Sequence, residues 1–314
     1  MAGRNDTPRK QPSKKGLAWK IRFYLIIFPL ALAIATYRTI KKRRKKNKEA
    51  GKPGKYRKAR VKQAQAILML LLIVFSGVGS GILIWKIANY FIDAGKSQEY
   101  AENLSDSVTV MDDGEQYGDT EAEAEEIEIP ASIDFDSLYK ISKDTVAWIF
   151  APGTKINYVI AQAKDNDYYM HRLLDGTSAN GGTLFEDYRC SNDFTDWNTI
   201  IYGHHMKNGT MFAGLMDYRD PDFYEEHPVM YLYVPGKRYK LELIAGYTTN
   251  VEDMIFSVPA TKKERDEIVD YACRNSSFTS GIKVDGEDRL VTMSTCSYVY
   301  TNARYVVIGR IVDE

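Results

Sequence analysis

Ala66–Trp85 is an unbroken run of 20 uncharged, mostly apolar residues, AILMLLLIVFSGVGSGILIW. As a helix rising about 1.5 Å per residue it spans roughly 30 Å, the hydrocarbon thickness of a bilayer. A core helix of a soluble protein seldom stays apolar all round over that length, and Trp85 is of a type favoured at membrane interfaces. Charge sorts sharply around the run. Residues 1–62 hold 21 Lys and Arg against two acids, Asp6 and Glu49, whereas residues 63–314 hold 21 bases against 40 acids. The formal net charge of zero is therefore a cancellation between two oppositely charged parts. Residues 38–62 alone carry 14 Lys and Arg, including Lys41-Lys42-Arg43-Arg44-Lys45-Lys46, while bases beyond the run thin to Lys86 and Lys96. The positive-inside rule then places residue 62 in the cytoplasm and residue 90 outside. A transmembrane helix is expected over 66–87, in the plasma membrane, with all that follows on the outer face. The basic block, wedged between apolar segments, is expected to meet anionic lipid headgroups and not nucleic acid.

A second apolar stretch, Phe23–Tyr37, has 15 residues, contains Pro29 and is flanked by bases. Leu17–Thr39 crosses the membrane if Lys20 and Arg22 snorkel to the interface. The alternatives are an amphipathic helix on the membrane surface or a signal-like remnant, so single-pass and double-pass topologies both stay open. From Asp93 to Pro130, acids are frequent and large apolar residues few. Such a stretch buries too little surface to fold alone and is expected to be an extended acidic stalk. A folded module should then occupy about 132–314.

That module reads mostly as strands. Runs rich in β-branched and aromatic residues (146–151, 155–162, 199–202, 229–234, 239–248, 289–295 and 304–312) alternate with turn residues such as Pro152-Gly153 and Pro235-Gly236. Two helices are expected, over 134–142 and from a capping box at Thr261-Lys-Lys-Glu264 to about Cys273. Many strands with few helices point to a barrel or a sandwich. Three cysteines (Cys190, Cys273, Cys296) exclude a disulfide-dense scaffold, although Cys190 and Cys273 are able to pair in an oxidising compartment. No Cys-x-x-Cys or His-x-x-x-His spacing exists, and neither a metal nor a cofactor is expected.

The most informative stretch is strand, loop, strand: Arg289-Leu-Val-Thr-Met-Ser-Thr-Cys296, seven residues, then Arg304-Tyr-Val-Val-Ile-Gly-Arg-Ile-Val312. Paired as an antiparallel hairpin, Cys296 faces Arg304 at about 5 Å between Cβ atoms. Val291, Met293 and Thr295 then share the other face with Tyr305, Val307 and Gly309. A thiol beside a permanent cation is biased toward thiolate, and the guanidinium can also donate to an oxyanion. The base would come from His204 or His205, which directly follow the apolar strand Asn198-Thr-Ile-Ile-Tyr-Gly203. His171 and His227 read as turn or packing residues.

With these residues together, the sequence resembles a sortase of class B, the cell-surface transpeptidases of Gram-positive bacteria. Thr292-Met-Ser-Thr-Cys296 is similar to the family signature Thr-Leu-x-Thr-Cys, with Met293 in the Leu position. Tyr202-Gly-His-His-Met206 resembles the segment around the family's histidine, where the His directly after Gly is the functional one, which is His204. Arg304 stands where the family has its arginine, and Phe223-Tyr-Glu-Glu-His-Pro228 adds to the likeness. The resemblance covers about 132–314. It implies a closed β-barrel of about eight strands with peripheral helices, and a cysteine transpeptidase with Cys296 as nucleophile, His204 as general acid and base, and Arg304 as oxyanion and substrate stabiliser. Thr295 and Ser294 are candidate substrate contacts. The implied partners are a peptidoglycan amine and exported proteins bearing a C-terminal sorting motif, Asn-Pro-x-Thr-like in much of class B, with its exact sequence left open. Two rivals remain: a cysteine peptidase that releases its acyl group to water, and an inactive membrane-tethered binding module.

Overall fold

The computed structural model describes residues 34, 37–39, 41, 42, 53–110, 129–297, 299 and 301–313. Most of the expected second apolar segment at 17–39 and most of the basic block 1–62 fall outside them, as do stalk residues 111–128. The chain divides into two compact units, 1–88 and 89–314. Helix α1 (Pro53–Val108) begins in the first and ends in the second. Within the first unit it carries the apolar run with Leu68, Met69, Leu72, Ile73 and Phe75 all exposed. Among the described residues α1 is the one helix long and apolar enough to cross a membrane.

Residues 93–108 differ from the extended stalk expected for them: they are helical, and they pack within the core of the second unit. The reason is a one-sided pattern that the acids obscure. Ser97, Leu104, Ser105 and Val108 are buried and Ala101 half-buried, at helical spacing, while Glu99, Glu102 and Asp106 point to solvent. Asp93 accepts a hydrogen bond from the Asn180 backbone N–H (2.8 Å), and the Ser105 hydroxyl accepts one from Asn157 (2.7 Å). The short strand β1 (Thr109–Val110) then pairs antiparallel with β2 (Ser132–Ile133). The folded module thus starts near 89.

Three more helices decorate the module. Helix α2 (Phe135–Ile141) is capped by Asp134, whose side chain accepts from the Ser137 N–H. Helix α3 (Pro221–Glu226) has Pro221 at its start behind the Asp220 cap. Helix α4 (Lys262–Asn275) opens on the predicted capping box, with Thr261 accepting from the Glu264 N–H and Glu264 accepting from the Ala260 N–H.

Eight strands form a closed barrel: β3 (Thr145–Phe150), β4 (Asn157–Ala161), β5 (Leu184–Glu186), β6 (Asn198–Gly203), β7 (Val229–Val234), β8 (Lys237–Asn250), β9 (Leu290–Cys296) and β10 (Ala303–Asp313). Their order around the barrel is β10-β8-β7-β3-β4-β5-β6-β9, with β4–β5 and β6–β9 parallel. Closure leaves no exposed strand edge. Alternation sorts the side chains. Ile201, Val291, Met293, Tyr305 and Val307 fill the interior together with Leu241 and Leu243. On the outside, Ile268 and Ala272 of α4 cover Ile244, Tyr247, Val306 and Ile308. Burying a side chain such as Ile268 stabilises by about 1.5–3 kcal/mol. On another face α2 and Leu104 and Val108 of α1 cover Trp148, Val159 and Tyr233.

Candidate active site

The hairpin forms in the expected register. Arg304 pairs with Cys296, Tyr305 with Thr295, Val307 with Met293 and Gly309 with Val291. On the other flank of β9, parallel strand β6 pairs Gly203 with Thr295. β6 ends there, so His204 directly follows the residue paired with Thr295, the neighbour of Cys296. Directly paired residues on neighbouring strands share a face, about 5 Å apart between Cα atoms. The end of β9 and the start of β10 therefore present Cys296 and Arg304 side by side, and the end of β6, next to β9, leads into His204. All three are half-buried, neither sealed in the core nor free in solvent.

Glycine at 203 is what lets β6 run close enough. A Cβ there would lie 2.4 Å from Leu184 Cδ2 and 2.6 Å from Phe212 Cδ2. The imidazole that follows is held from a distant segment. His204 Nε2 lies 2.7 Å from the Met170 carbonyl. A carbonyl only accepts, so Nε2 carries the hydrogen. The His171 ring stacks on that of His204, with centroids 5.3 Å apart and planes 15° from parallel. Burial pushes the His204 imidazole below the ordinary histidine range. The Met170 carbonyl opposes that shift, and charge on His171 and Arg304 adds to it. His205 does different work: its Nδ1 donates to the Cys296 carbonyl (2.9 Å), tying the loop after β6 to the end of β9.

A groove of about 340 Å³ opens beside Arg304. Met170, Val251 and Phe256 supply apolar wall, and Asp187, Arg189 and Tyr202 supply polar wall. Asp187 is buried, which alone would raise its carboxyl pKa. Hydrogen bonds from Arg189, Tyr202 and Asn166 outweigh burial and hold it below the usual range. Arg189 also donates to the Phe256 carbonyl (2.9 Å), which fastens the β8–α4 connection to this wall.

The expected substrate contacts, Ser294 and Thr295, are corrected by burial. Their exposures are 2% and 1%, and Thr295 lies on the interior face with Met293. Neither hydroxyl is presented to a peptide. Cys190 and Cys273 are unpaired thiols; burial pushes Cys190 up to about 12, so it stays an unreactive packing residue. His227 behaves as expected, capping α3 and bonding the Pro152 carbonyl. His171 also lies on a turn, a 3₁₀ turn at Tyr169–His171, and its ring packs against His204. Its placement depends on a contact 33 positions away in sequence, which no local pattern reports. Among the described residues no three His, Cys, Asp or Glu side chains are grouped to hold a metal ion.

The geometry has counterparts. The family model described as Sortase domain matches residues 149–312, just over half of the chain. Sortase B of Listeria monocytogenes is 35% identical over 254 residues, covering 79% of this chain and 95% of that protein. Sortase B of Staphylococcus aureus is 34% identical over 181 residues, covering 57% and 74%. Among solved structures, sortase B from B. anthracis in complex with AAEK1 superposes with a TM-score of 0.59 at 28% identity, covering 71% of this chain and all of that one. The S. aureus sortase B–substrate complex gives 0.54 at 34% identity, covering 57% and 84%, and the complex of sortase B with Gly3 gives 0.54 at 34%, covering 57% and 85%. The chain belongs to the sortase family, in its class B, and is a cysteine transpeptidase of the kind that anchors proteins to the cell wall.

Proposed function

We propose that Cys296, His204 and Arg304 carry out the acyl transfer, and that the protein acts from the outer face of the plasma membrane on exported proteins with an Asn-Pro-x-Thr-like sorting motif. The observation that carries the reading is the pairing of Cys296 with Arg304, and it is supported by the neighbouring strand β6, which runs parallel to β9 up to the residue before His204. The Cys296 thiolate attacks the threonine carbonyl carbon, forming the C–S bond and a tetrahedral oxyanion. Arg304 donates hydrogen bonds to that oxyanion. With Nε2–H engaged by Met170, Nδ1 of His204 is the nitrogen that gives a proton to the leaving amine as the C–N bond breaks. A peptidoglycan amine then attacks the thioester, losing its proton to His204 and expelling the Cys296 thiolate. The depressed pKa of His204 keeps its charged form scarce near neutrality, so the proton-donating population is a minority one.

The peptide would run along the groove beside Arg304, whose walls offer apolar surface and hydrogen-bonding side chains together. The apolar run of α1, none of it buried, supports a membrane span over 66–87, and the basic flank at 38–62 supports a cytoplasmic N-terminal side in contact with anionic lipid. A labelling assay with a membrane-impermeant reagent on single-cysteine variants at positions 50 and 120 tests this; reaction at 50 and protection at 120 in intact cells would reverse the orientation.

The chemical test uses the full-length protein in detergent, a fluorogenic Asn-Pro-x-Thr peptide, and triglycine as acceptor. Cleavage with a triglycine-linked product, lost in Cys296→Ala, is the expected result. Cleavage that ignores the acceptor makes the protein a peptidase, and cleavage surviving Cys296→Ala ends the thiol mechanism. If His205→Ala impairs turnover more than His204→Ala, the acid–base role passes to His205.

A further inference from the structure

We infer that His171 is a positioning residue for His204, the imidazole plate against which the acid–base ring of the proposed mechanism is held. The inference rests on that functional reading for its consequence, though not for its geometry. One short 3₁₀ turn, Tyr169–His171, grips His204 twice: the Met170 carbonyl accepts from Nε2, and the His171 ring lies 5.3 Å away and 15° from parallel. Two constraints from a single rigid turn fix both the tilt of the ring and its rotation about the Cβ–Cγ bond.

The turn is itself over-determined. Gly182 sits at φ +58°, and a Cβ there would come within 2.4 Å of the Tyr169 carbonyl oxygen and 2.5 Å of that of Met170. The Thr183 N–H donates to the Tyr169 carbonyl (3.1 Å), and the Ala179 N–H to the His171 carbonyl (3.1 Å). The Tyr169 hydroxyl donates to Asp144 (2.8 Å). All of this secures backbone, yet the His171 side chain is exposed. Core packing therefore does not account for an imidazole at this position, whereas contact with His204 does.

The charged groups acting on His204 come from two elements, His171 from the turn and Arg304 from β10. Arg172, the next residue along, is directed instead onto the Tyr168 ring, with its guanidinium carbon 4.7 Å from the centroid. A proton on His171 opposes a proton on His204, so the stack sets orientation and also weights the protonation state.

Two variants separate these effects: His171→Phe keeps a flat ring without charge, and His171→Ala keeps neither. The chain has four histidines, so selectively labelled full-length protein in micelles gives four imidazole resonances, and His204 titration is read directly. Both variants should raise the His204 midpoint. With the fluorogenic Asn-Pro-x-Thr peptide, His171→Ala should lower kcat about 10-fold at nearly constant KM, and His171→Phe should restore it to within about 2-fold. An unmoved His204 titration together with unchanged kcat in His171→Ala overturns the inference. So does a rise in KM alone, which would make His171 a peptide contact. A wild-type protein that leaves the peptide intact counts against the functional reading, and the titration then decides the pairing by itself.

Discussion

The hairpin β9–β10 and the surroundings of His204 place their functional groups by different means. Cys296 and Arg304 are eight residues apart and are aligned by a continuous backbone ladder, Arg304↔Cys296 through Arg310↔Leu290. His204 stands one residue past the end of β6 and is held by a carbonyl 34 positions earlier and by a ring from the same turn. A ladder shares its load over many hydrogen bonds, so substitutions of single side chains hardly move it. The imidazole relies on a few specific contacts, each of which a single substitution can remove. Disturbing the hairpin should therefore need a change in a functional side chain itself, whereas the imidazole should be vulnerable at a distance.

The largest expected effect tests the hairpin. Arg304→Ala should lower kcat by about 10²–10³-fold with thermal stability little changed, because on the proposed mechanism only an oxyanion donor is lost. A melting temperature that collapses instead would show that the guanidinium holds the ladder together, against the comparison. The next tests the other side. Gly203→Ala forces a Cβ into Leu184 and Phe212, and overpacking of this kind costs about 1–3 kcal/mol. Turnover should fall further than stability predicts, since His204 is the next residue; a fall in melting temperature with normal turnover of the folded fraction would show β6 to be as tolerant as the hairpin.

Strand β5, the neighbour of β6, offers a pH-dependent test. Glu186 is 1% exposed, both its oxygens lack a hydrogen-bond partner, and burial first, then Asp196, Asp193 and Asp187, push its carboxyl up to about 9. The folded state keeps the proton that the unfolded chain releases near pH 4.3. Its contribution to stability is therefore complete below that value and is lost as pH rises towards about 9. Glu186→Gln, which carries no titrating proton, should raise the melting temperature at pH 8 relative to wild type and change it little at pH 4. Equal shifts at both pH values would mean that the carboxyl is ionised in the fold. The smallest effect concerns the turn that grips His204. Tyr169→Phe removes the hydrogen bond to Asp144 and should cost about 1 kcal/mol, seen as a melting shift of a few degrees. Two neighbouring backbone bonds remain, so kcat should change by less than about 2-fold.

Legibility from the chain followed the same division. The pairing of Cys296 with Arg304 was readable because a hairpin with that register puts Val291, Met293, Tyr305 and Val307 on one buried face. The capping box of α4 was readable because its two hydrogen bonds lie within five residues. Resemblance supplied the barrel, where patterning alone left a sandwich open. Ser294 and Thr295 were misjudged as peptide contacts because proximity to Cys296 in sequence says nothing about which side of a strand is covered. Residues 93–108 were misjudged because their acids dominate composition, although their buried positions follow helical spacing.

By itself, then, the amino-acid sequence determined the apolar run of α1, the alternation that makes the strands, and the register that puts a thiol opposite a guanidinium. These depend on chemistry repeated at short range, and short range is what a linear chain records. Only the tertiary structure decided that His171 and the Met170 carbonyl close on His204, that Gly182 must yield space to that turn, and that Asp187 and Arg189 line the groove beside Arg304. Such contacts join segments tens of residues apart, and their geometry exists only after the barrel has closed.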